Sequence, residues 1–274
     1  MIIAHSRADL IAALDALPRP LGYVPTMGAL HAGHTALIDA ARTASESVLV
    51  SIFVNPMQFG ATEDLSTYPR TLEADLELCR EHGATAVWAP SYADVYPGGE
   101  AKVSVHPGPL GSELEGAARP THFEGVLTVV AKYFSLIRPS TAFFGDKDYQ
   151  QLTLIRQMVG DLELGVGVVG VPTVREPDGL ALSSRNVYLD ATQRQQALVL
   201  SRALLAGQAV TGRGADAARD AASAVLATEP EVQVSYLEVR ATDLAPAPEH
   251  GAARMLVAAR VGTTRLIDNV ALEL

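Results

Sequence analysis

A chain of 274 residues has room for roughly two domains, since a typical domain takes ~150 residues. Hydrophobic residues make up 48% of the chain and charged residues 19%, a balance that excludes a disordered or collagen-like protein. The formal net charge of −10 disfavours a nucleic-acid partner, because binding to a phosphate backbone relies on clustered lysines and arginines.

Two further observations bear on location and redox chemistry. The single cysteine, Cys79, cannot form an internal disulfide, and its helical spacing favours core packing over a nucleophilic role. The first residues lack the charged-then-apolar order of a signal peptide, and no uncharged apolar stretch reaches the ~18 residues of a membrane span. We therefore expect a cytoplasmic protein with no membrane partner.

The first part of the chain alternates short apolar runs with longer amphipathic stretches. Ser6-Arg7-Ala8-Asp9 resembles a capping box and predicts a first helix that ends before Pro18. Strand-like runs then alternate with helical ones, which predicts an α/β fold with a Rossmann-like, doubly wound parallel sheet. The predicted strands are 21–24, 48–54, 84–89, 141–144 and a closing run at 164–174, and the helices are 35–44, 72–82, 126–137 and 149–159.

Beyond about residue 175 the pattern changes. Ala-rich helical stretches at 193–210 and 215–227 are followed by β-branched or alternating runs at 232–239, 254–261 and 264–270. These runs predict an antiparallel sheet. We therefore expect a sheet domain at 1–174 that binds the ligands and a smaller α+β C-terminal domain at 175–274.

The segment Pro25-Thr26-Met27-Gly28-Ala29-Leu30-His31-Ala32-Gly33-His34 lies where the strand at 21–24 gives way to a helix. Ligands of open parallel sheets bind at the carboxyl ends of the strands. The glycines allow close backbone approach, the helix start offers unpaired N–H groups, and His31 and His34 are spaced to face one ligand. Such donors suit the negative charge that builds on a phosphate under attack. Solvated histidines or a metal site remain alternatives, although His-x-x-His with no nearby carboxylate or cysteine is a poor zinc site.

Three later segments also carry polar groups. Asn55 and Gln58 suit recognition of hydroxyls, the alternative being an Asn-Pro turn with Gln58 in solvent. Lys147 is a reasonable phosphate ligand, or else a plain surface lysine, and it shares a face with Gln151 if a helix begins there. Ser183, Ser184 and Arg185 lie on an expected mobile loop that could capture an anion.

Together these segments resemble the nucleotidyl-transfer superfamily that includes class I aminoacyl-tRNA synthetases, marked by its paired-histidine ("HIGH") turn. Within it, residues 25–34, 53–59, 145–148 with Gln151, and 180–186 resemble the pantothenate synthetase family, also called pantoate–β-alanine ligase. The resemblance covers most of residues 20–190 and is weaker over the last eighty or so.

This resemblance implies a two-step ligation. The carboxylate of (R)-pantoate attacks the α-phosphate of ATP, pyrophosphate leaves with Mg²⁺, and the amine of β-alanine then attacks the pantoyl adenylate to release pantothenate and AMP. It thus implies ATP and Mg²⁺ as cofactors, pantoate and β-alanine as substrates, no protein-built metal site and a homodimer.

The resemblance also implies residue roles, carried over by position. His34 would be the general acid and His31 its companion on the phosphates, with Lys147 and Arg185 as the other catalytic groups. Gln58 and Gln151 would hold pantoate, Gln58 would also meet β-alanine, and Asn55 and Arg119 would assist. The remaining ATP contacts would be Met27, Gly28, Ala29, Leu30, Ala32, Gly33, Gly145, Asp146, Asp148, Val174, Leu182, Ser183 and Ser184. Asp146 is the one departure, because the family has Glu there at least as often.

Closure of the Ser183–Arg185 loop would keep water from the adenylate, with the second domain acting as a lid. Three other functions stay open. Gln58 and Gln151 argue against a nucleotidyltransferase that leaves AMP on its product, and the net charge argues against a synthetase acting on tRNA. The intact His31, His34, Lys147 and Arg185 argue against a catalytically silent nucleotide sensor.

Overall fold

The computed structural model of the chain describes residues 1–61 and 63–274, and these form two compact units. The first unit comprises residues 1–146 and 154–172, and the second comprises residues 147–153 and 173–274. The short segment 147–153 thus belongs with the later part of the chain. Nothing in the sequence pattern indicates this.

The first unit is built on a parallel sheet, as predicted. Its strands are β1 (Ile2–Ala4), β2 (Leu21–Thr26), β3 (Ser47–Ile52), β4 (Ala86–Trp88), β5 (Thr141–Gly145) and β6 (Gly167–Val171), in the order β1-β4-β3-β2-β5-β6. The helices between them are α1 (Arg7–Ala16), α2 (Ala32–Ala44), α3 (Leu72–Glu81), α4 (Tyr92–Val95), α5 (Leu114–Ala118), α6 (His122–Ile137) and α7 (Tyr149–Asp161).

Successive strand residues point to opposite faces of the sheet, and helices cover both faces. Side chains on both faces are therefore buried. On one face, Val24, Val50 and Val87 pack with residues of α2 and α3, among them the fully buried Cys79. Burial, with the nearby Asp75 carboxylate, raises the pKa of the Cys79 thiol to about 12, so its role is packing. On the other face, Tyr133 of α6 lies edge-on to Trp88 at 5.5 Å between ring centroids. These two layers confirm the doubly wound arrangement.

The register of β2 and β3 sets the edge where the polar segments meet. The two strands pair in parallel from Leu21 opposite Ser47 to Thr26 opposite Ile52. Both strands therefore end level with each other. The turn after Thr26 and the turn after Ile52 leave the sheet at the same edge.

The second unit holds a three-stranded antiparallel sheet, also as predicted. Its strands are β7 (Val232–Ala241), β8 (Ala252–Val261) and β9 (Thr264–Glu273), and its helices are α8 (Ala191–Gln208) and α9 (Ala215–Leu226). Alanines of α8 and α9 and apolar residues of β8 form its buried core, which includes Ala203, Ala222 and Met255.

Several element boundaries differ from the sequence-based prediction. The edge strand β1 was not predicted, because three residues are too few to show a periodicity. Helix α2 begins at Ala32 rather than at residue 35, and α6 begins at His122 rather than at residue 126. In both cases polar or small residues of the first helical turn break the amphipathic pattern.

Two glycines give a matched test of the packing against Met57, in the turn that follows β3. A Cβ atom on Gly125 of α6 would lie 2.2 Å from the backbone oxygen of Met57, whereas one on Gly160 of α7 meets nothing within 4 Å. We expect Gly125→Ala to destabilise the protein by ~1–3 kcal/mol through this overlap. Gly160→Ala should stabilise it by ~0.4–1 kcal/mol, because alanine restricts the unfolded chain. Urea unfolding of both variants measures the difference, and equal stabilities would contradict the predicted overlap.

Candidate active site

The turn between β2 and α2 has a left-handed backbone at two successive residues. The φ angles are +85° at Gly28 and +51° at Ala29, a region that glycine adopts freely and alanine does not. His31 follows as the N-cap of α2, with extended backbone angles. The turn therefore brings two histidines to the start of one helix.

His31 and His34 cap α2 reciprocally. Nδ1 of His31 accepts the Gly33 N–H at 3.1 Å, and Nδ1 of His34 accepts the His31 N–H at 3.3 Å. The two rings lie 4.2 Å apart between centroids. Because each Nδ1 acts as an acceptor, the neutral form of each imidazole carries its proton on Nε2. The arrangement places the two imidazoles side by side at the helix start.

Several N–H groups in and just before this helix start are bonded within the protein. Asp75 of α3 accepts the Ala29 N–H at 3.0 Å and the Leu30 N–H at 2.8 Å. The imidazoles satisfy the N–H groups of His31 and Gly33. The Gly33 N–H, inside the helix, is thus not unpaired as predicted, while the two amides held by Asp75 precede the helix. The prediction did not include Asp75, which lies 45 residues beyond Leu30 along the chain. A signal was present, since Asp75 precedes the buried Cys79 by four residues and so lies on the buried face of α3.

Asn55 and Gln58 lie in the turn that follows β3, and both are buried. The Asn55 amide donates to Gln58 Oε1 at 3.3 Å and to the Gly125 carbonyl at 3.1 Å, while the Tyr96 hydroxyl donates to Asn55 Oδ1 at 2.9 Å. The alternative that placed Gln58 in solvent is therefore wrong. Gln58 Nε2 donates to the Met27 sulfur at 2.9 Å. The turn that follows β3 therefore touches the turn between β2 and α2, residues 27–31, which we call the histidine turn.

The backbone of Gln58 is held by two residues near the start of α6. The His122 imidazole lies 2.9 Å from the Gln58 carbonyl, and Arg119 donates to the same oxygen at 3.3 Å. Burial, with the nearby Arg119 charge, lowers the pKa of His122 to about 4, so the ring is neutral near pH 7 and donates from Nδ1. His122 was not among the residues predicted from the sequence, since a histidine four residues before a predicted helix gives no clear signal.

Arg119, predicted to contact the substrate, forms a bidentate pair with Glu63. The distances are 2.8 Å from Nε to Oε1 and 2.6 Å from Nη2 to Oε2. Burial would raise the pKa of Glu63, but the Arg119 hydrogen bonds outweigh it and the pKa is lowered. In this structure Arg119 supports the Gln58 turn, and its contact with substrate stays a prediction.

The other predicted residues belong to the second unit, apart from Gly145 and Asp146, which end the first unit's early segment at residue 146. Lys147 lies in the 3-10 turn Asp146–Asp148, and α7 begins only at Tyr149. The four-residue spacing therefore does not by itself place Lys147 and Gln151 on one α-helical face. The Lys147 carbonyl accepts from Asn269 Nδ2 at 2.9 Å, which ties this turn to β9.

In the segment expected to be a mobile loop, residues 174–182 form a hydrogen-bonded hairpin that leads into a short helix. The Leu182 N–H donates to the Val174 carbonyl at 3.0 Å, and Ser183 caps the 3-10 helix Ser184–Tyr188 by accepting from the Arg185 N–H. Arg175 binds the buried Asp268 through its two terminal guanidinium nitrogens, Nη1 at 2.6 Å and Nη2 at 2.9 Å. This ion pair joins residues 93 apart, which the local pattern could not reveal.

Metal-binding clusters and membrane-spanning helices are both absent from the described residues, 1–61 and 63–274. These residues contain no group of three or more His, Cys, Asp or Glu side chains able to hold a metal ion. None of their helices has the length and hydropathy needed to cross a membrane.

A doubly wound parallel sheet, with a paired-histidine helix start after its second strand, defines a protein of the nucleotidylyl transferase fold. A family model described as pantoate-beta-alanine ligase matches residues 3–271. The chain therefore belongs to the pantoate-beta-alanine ligase family and is an enzyme of the ligase class.

Individual relatives agree with this assignment. Pantothenate synthetase of Nocardia farcinica is 60% identical over 96% of this chain and 82% of the relative. Pantothenate synthetase of Salinispora arenicola is 56% identical over 99% and 98% of the two chains.

Solved structures agree as well. Pantothenate synthetase from Thermus thermophilus superposes with a TM-score of 0.93 at 49% identity, covering 98% of this chain and 99% of that one. Pantoate-beta-alanine ligase from Francisella tularensis, crystallised with beta-gamma ATP and beta-alanine, gives a TM-score of 0.83 at 33% identity, covering 98% and 97%.

The neutral His122 makes stability depend on pH. His122 takes up a proton near pH 6.5 in the unfolded chain and only near pH 4 in the folded chain. Its contribution to the free energy of unfolding is therefore fully present above pH 6.5 and is lost as the pH falls toward 4. We expect the free energy of unfolding to fall by about 2 kcal/mol between pH 7 and pH 5 from this group alone. His122→Asn keeps a neutral donor and should abolish that part.

Urea unfolding at the two pH values measures the difference. The exposed His250→Asn serves as the control and should keep the wild-type dependence. A His122→Asn variant with the same pH dependence as wild type would show that His122 titrates normally in the folded state.

Proposed function

We propose that this chain joins (R)-pantoate to β-alanine with ATP, through a pantoyl adenylate, and releases AMP and pyrophosphate. One observation carries the proposal: Gln58 Nε2 meets Met27 Sδ at 2.9 Å, so a buried pair of amides adjoins the turn that holds His31 and His34. A group that recognises hydroxyls thus lies beside a group that can stabilise phosphate charge. The beta-gamma ATP and beta-alanine bound to the Francisella tularensis ligase support the same substrates.

In the first step, a carboxylate oxygen of pantoate forms a bond to the α-phosphorus, and the bond from that phosphorus to the bridging oxygen of pyrophosphate breaks. Negative charge grows on the phosphate oxygens and on the leaving group. The Nε2–H groups of His31 and His34 are oriented before the reaction by their Nδ1 contacts, so little reorganisation is needed. The proton that His34 presents as general acid is the one on Nε2.

Gln58 and Asn55 select the acid. Sulfur is a weak acceptor, so the Gln58 amide exchanges its contact with Met27 for a pantoate hydroxyl with little loss of free energy. The backbone of Gln58 meanwhile stays bonded to His122 and Arg119. An acid without hydroxyls would leave the Gln58 amide on its weak sulfur acceptor and gain no such hydrogen bond, so the site favours an acid that carries hydroxyls.

The remaining roles rest on the motifs from Gly145 to Gln151 and from Val174 to Arg185. Lys147, Ser183, Ser184 and Arg185 bind the triphosphate, Gly145, Asp146, Asp148, Val174 and Leu182 contact ATP, and Gln151 assists with pantoate. The C-terminal domain expected from the sequence, residues 175–274, acts as the lid. A homodimer and a cytoplasmic location complete the proposal, and sedimentation velocity tests the dimer.

Magnesium enters with the nucleotide. Mg²⁺ takes six oxygen ligands and is usually held by one or two carboxylates together with substrate phosphates. Over residues 1–61 and 63–274 no group of three or more His, Cys, Asp or Glu side chains could hold a metal ion, and Asp75 already accepts two backbone N–H groups. Oxygens of the triphosphate therefore supply most of the Mg²⁺ ligands in this proposal, and no step is assigned to a separate protein metal site.

Incubation with ATP, (R)-pantoate and β-alanine tests the reaction directly. We expect AMP and pantothenate in equal amounts, detected by chromatography and mass spectrometry. A stable adenylylated acid that ignores β-alanine would show that the chain is a nucleotidyltransferase instead. Binding of ATP without AMP formation would favour a nucleotide sensor.

Removal of one phosphate donor should slow adenylation strongly. We expect His34→Ala and Lys147→Ala each to reduce single-turnover adenylate formation by at least ~10²-fold, with folding unchanged, because a preorganised donor is lost. The exposed His250→Ala and Lys102→Ala are matched controls and should react at the wild-type rate. Near-normal rates in the first pair would refute the assigned roles.

Loss of the Gln58 amide should act mainly on pantoate. We expect Gln58→Ala to weaken pantoate binding by roughly 10-fold or more while ATP binding changes little, because hydroxyl contacts are removed and phosphate contacts remain. Calorimetric titration with each ligand measures this. Gln195→Ala, at an exposed position of α8, is the control. Equal losses for both ligands would contradict a pantoate-specific role.

A further inference from the structure

The carboxylate of Asp75 accepts hydrogen bonds from the backbone of the histidine turn, the segment between β2 and α2. It lies in the first turn of α3, is 1% exposed, and accepts three hydrogen bonds. Oδ2 accepts from the Ala29 N–H at 3.0 Å and Oδ1 from the Leu30 N–H at 2.8 Å, and the Thr71 hydroxyl donates to Oδ1 at 3.1 Å. A buried carboxylate is costly unless it is bonded in this way.

The position of these contacts matters more than their number. Ala29 and Leu30 directly precede His31, and Ala29 holds the left-handed conformation that a residue with a Cβ atom adopts only when its surroundings impose it. Successive N–H groups that converge in this way form an anion-binding concavity. Here the anion is a side chain of the protein itself.

The space around the turn is also filled. A Cβ atom on Gly28 would lie 3.0 Å from Asp75 Oδ2 and 3.1 Å from Ile52 Cγ2. The carboxylate therefore holds the turn from one side while the end of β3 limits it from the other. The direction in which the chain enters α2 is determined by these contacts.

We infer that Asp75 is a positioning residue for adenylation: it fixes the turn at Gly28–Leu30 so that the imidazoles of His31 and His34 stay aligned for the α-phosphate. This inference rests on the proposed function for its kinetic part. It also means that the N–H groups of Ala29 and Leu30 do not bind the phosphates of ATP, so that task falls on side chains.

The test compares Asp75→Asn with Cys79→Ala. Asparagine keeps the size of the side chain but sets an NH₂ group against one backbone N–H, so one hydrogen bond is lost and two donors face each other. Cys79 lies one helical turn further along α3, is equally buried and does not contact the turn in any described hydrogen bond, which makes Cys79→Ala the control for general destabilisation of α3.

Two readouts are measured on the full-length protein. Amide hydrogen exchange by NMR should show Ala29 and Leu30 protected in wild type and in Cys79→Ala, and at least one of them unprotected in Asp75→Asn. The single-turnover rate of adenylate formation should fall roughly 10²-fold in Asp75→Asn, as misplacement of catalytic groups by about 1 Å does elsewhere, while the dissociation constant of pantoate stays within about threefold.

Several results would overturn the inference. One is unchanged protection of the two amides in Asp75→Asn. Another is an adenylation rate in Asp75→Asn equal to that of Cys79→Ala, since the role would then be structural only. If Asp75→Asn does not fold, Thr71→Val removes one donor to the carboxylate and should lower the same rate several-fold without changing pantoate binding; a wild-type rate there would end the proposal.

Failure of this inference and failure of the proposed function are distinguishable. Amide exchange needs no substrate, so it reports on Asp75 whatever the reaction is. A wild-type enzyme that forms no pantothenate would end the proposed function, while protected amides would still support the positioning of the turn. Normal pantothenate formation together with freely exchanging Ala29 and Leu30 amides in the wild-type enzyme would support the proposed function and end the inference about Asp75.

Discussion

Parallel hydrogen bonding between β2 and β3 is the constraint on which the candidate site depends. Because Thr26 pairs with Ile52, the two strands end together and their following turns leave the sheet side by side. Met27 and Gln58 come from these two turns, 31 residues apart, and touch at 2.9 Å. A register shift by a single residue would reverse the faces of one strand and separate the two groups.

Around this edge the buried polar groups are bonded to one another. Asn55 joins Tyr96 and Gly125, Gln58 is held by His122, and Asp75 holds the histidine turn. Leaving any one of these partners unsatisfied in the interior costs ~1–3 kcal/mol, so the network has one favoured arrangement. The same free-energy penalty that favours a unique fold therefore keeps the reacting side chains in place.

The chemistry follows from which atoms this bonding engages. The histidine Nδ1 atoms and the N–H groups of Ala29 and Leu30 are bonded within the protein. In the proposed reaction, the imidazoles of His31 and His34 therefore act on the nucleotide through Nε2 rather than through Nδ1. The N–H groups of Ala29 and Leu30 are thus used differently from those of a glycine-rich loop, where backbone N–H groups bind phosphates directly.

Local pattern by itself determined much about this protein. The alternation of apolar runs with amphipathic stretches predicted the parallel sheet and the antiparallel one, since strand and helix periodicities depend on neighbouring residues. The motif around His31 and His34, with Gln58, Lys147 and Arg185, indicated the family. Only the tertiary structure decided that Gln58 is buried, that Asp75 supports the histidine turn, and that Arg175 binds Asp268. Those partners lie tens of residues apart, and no spacing rule records which buried donor meets which acceptor once the chain has folded.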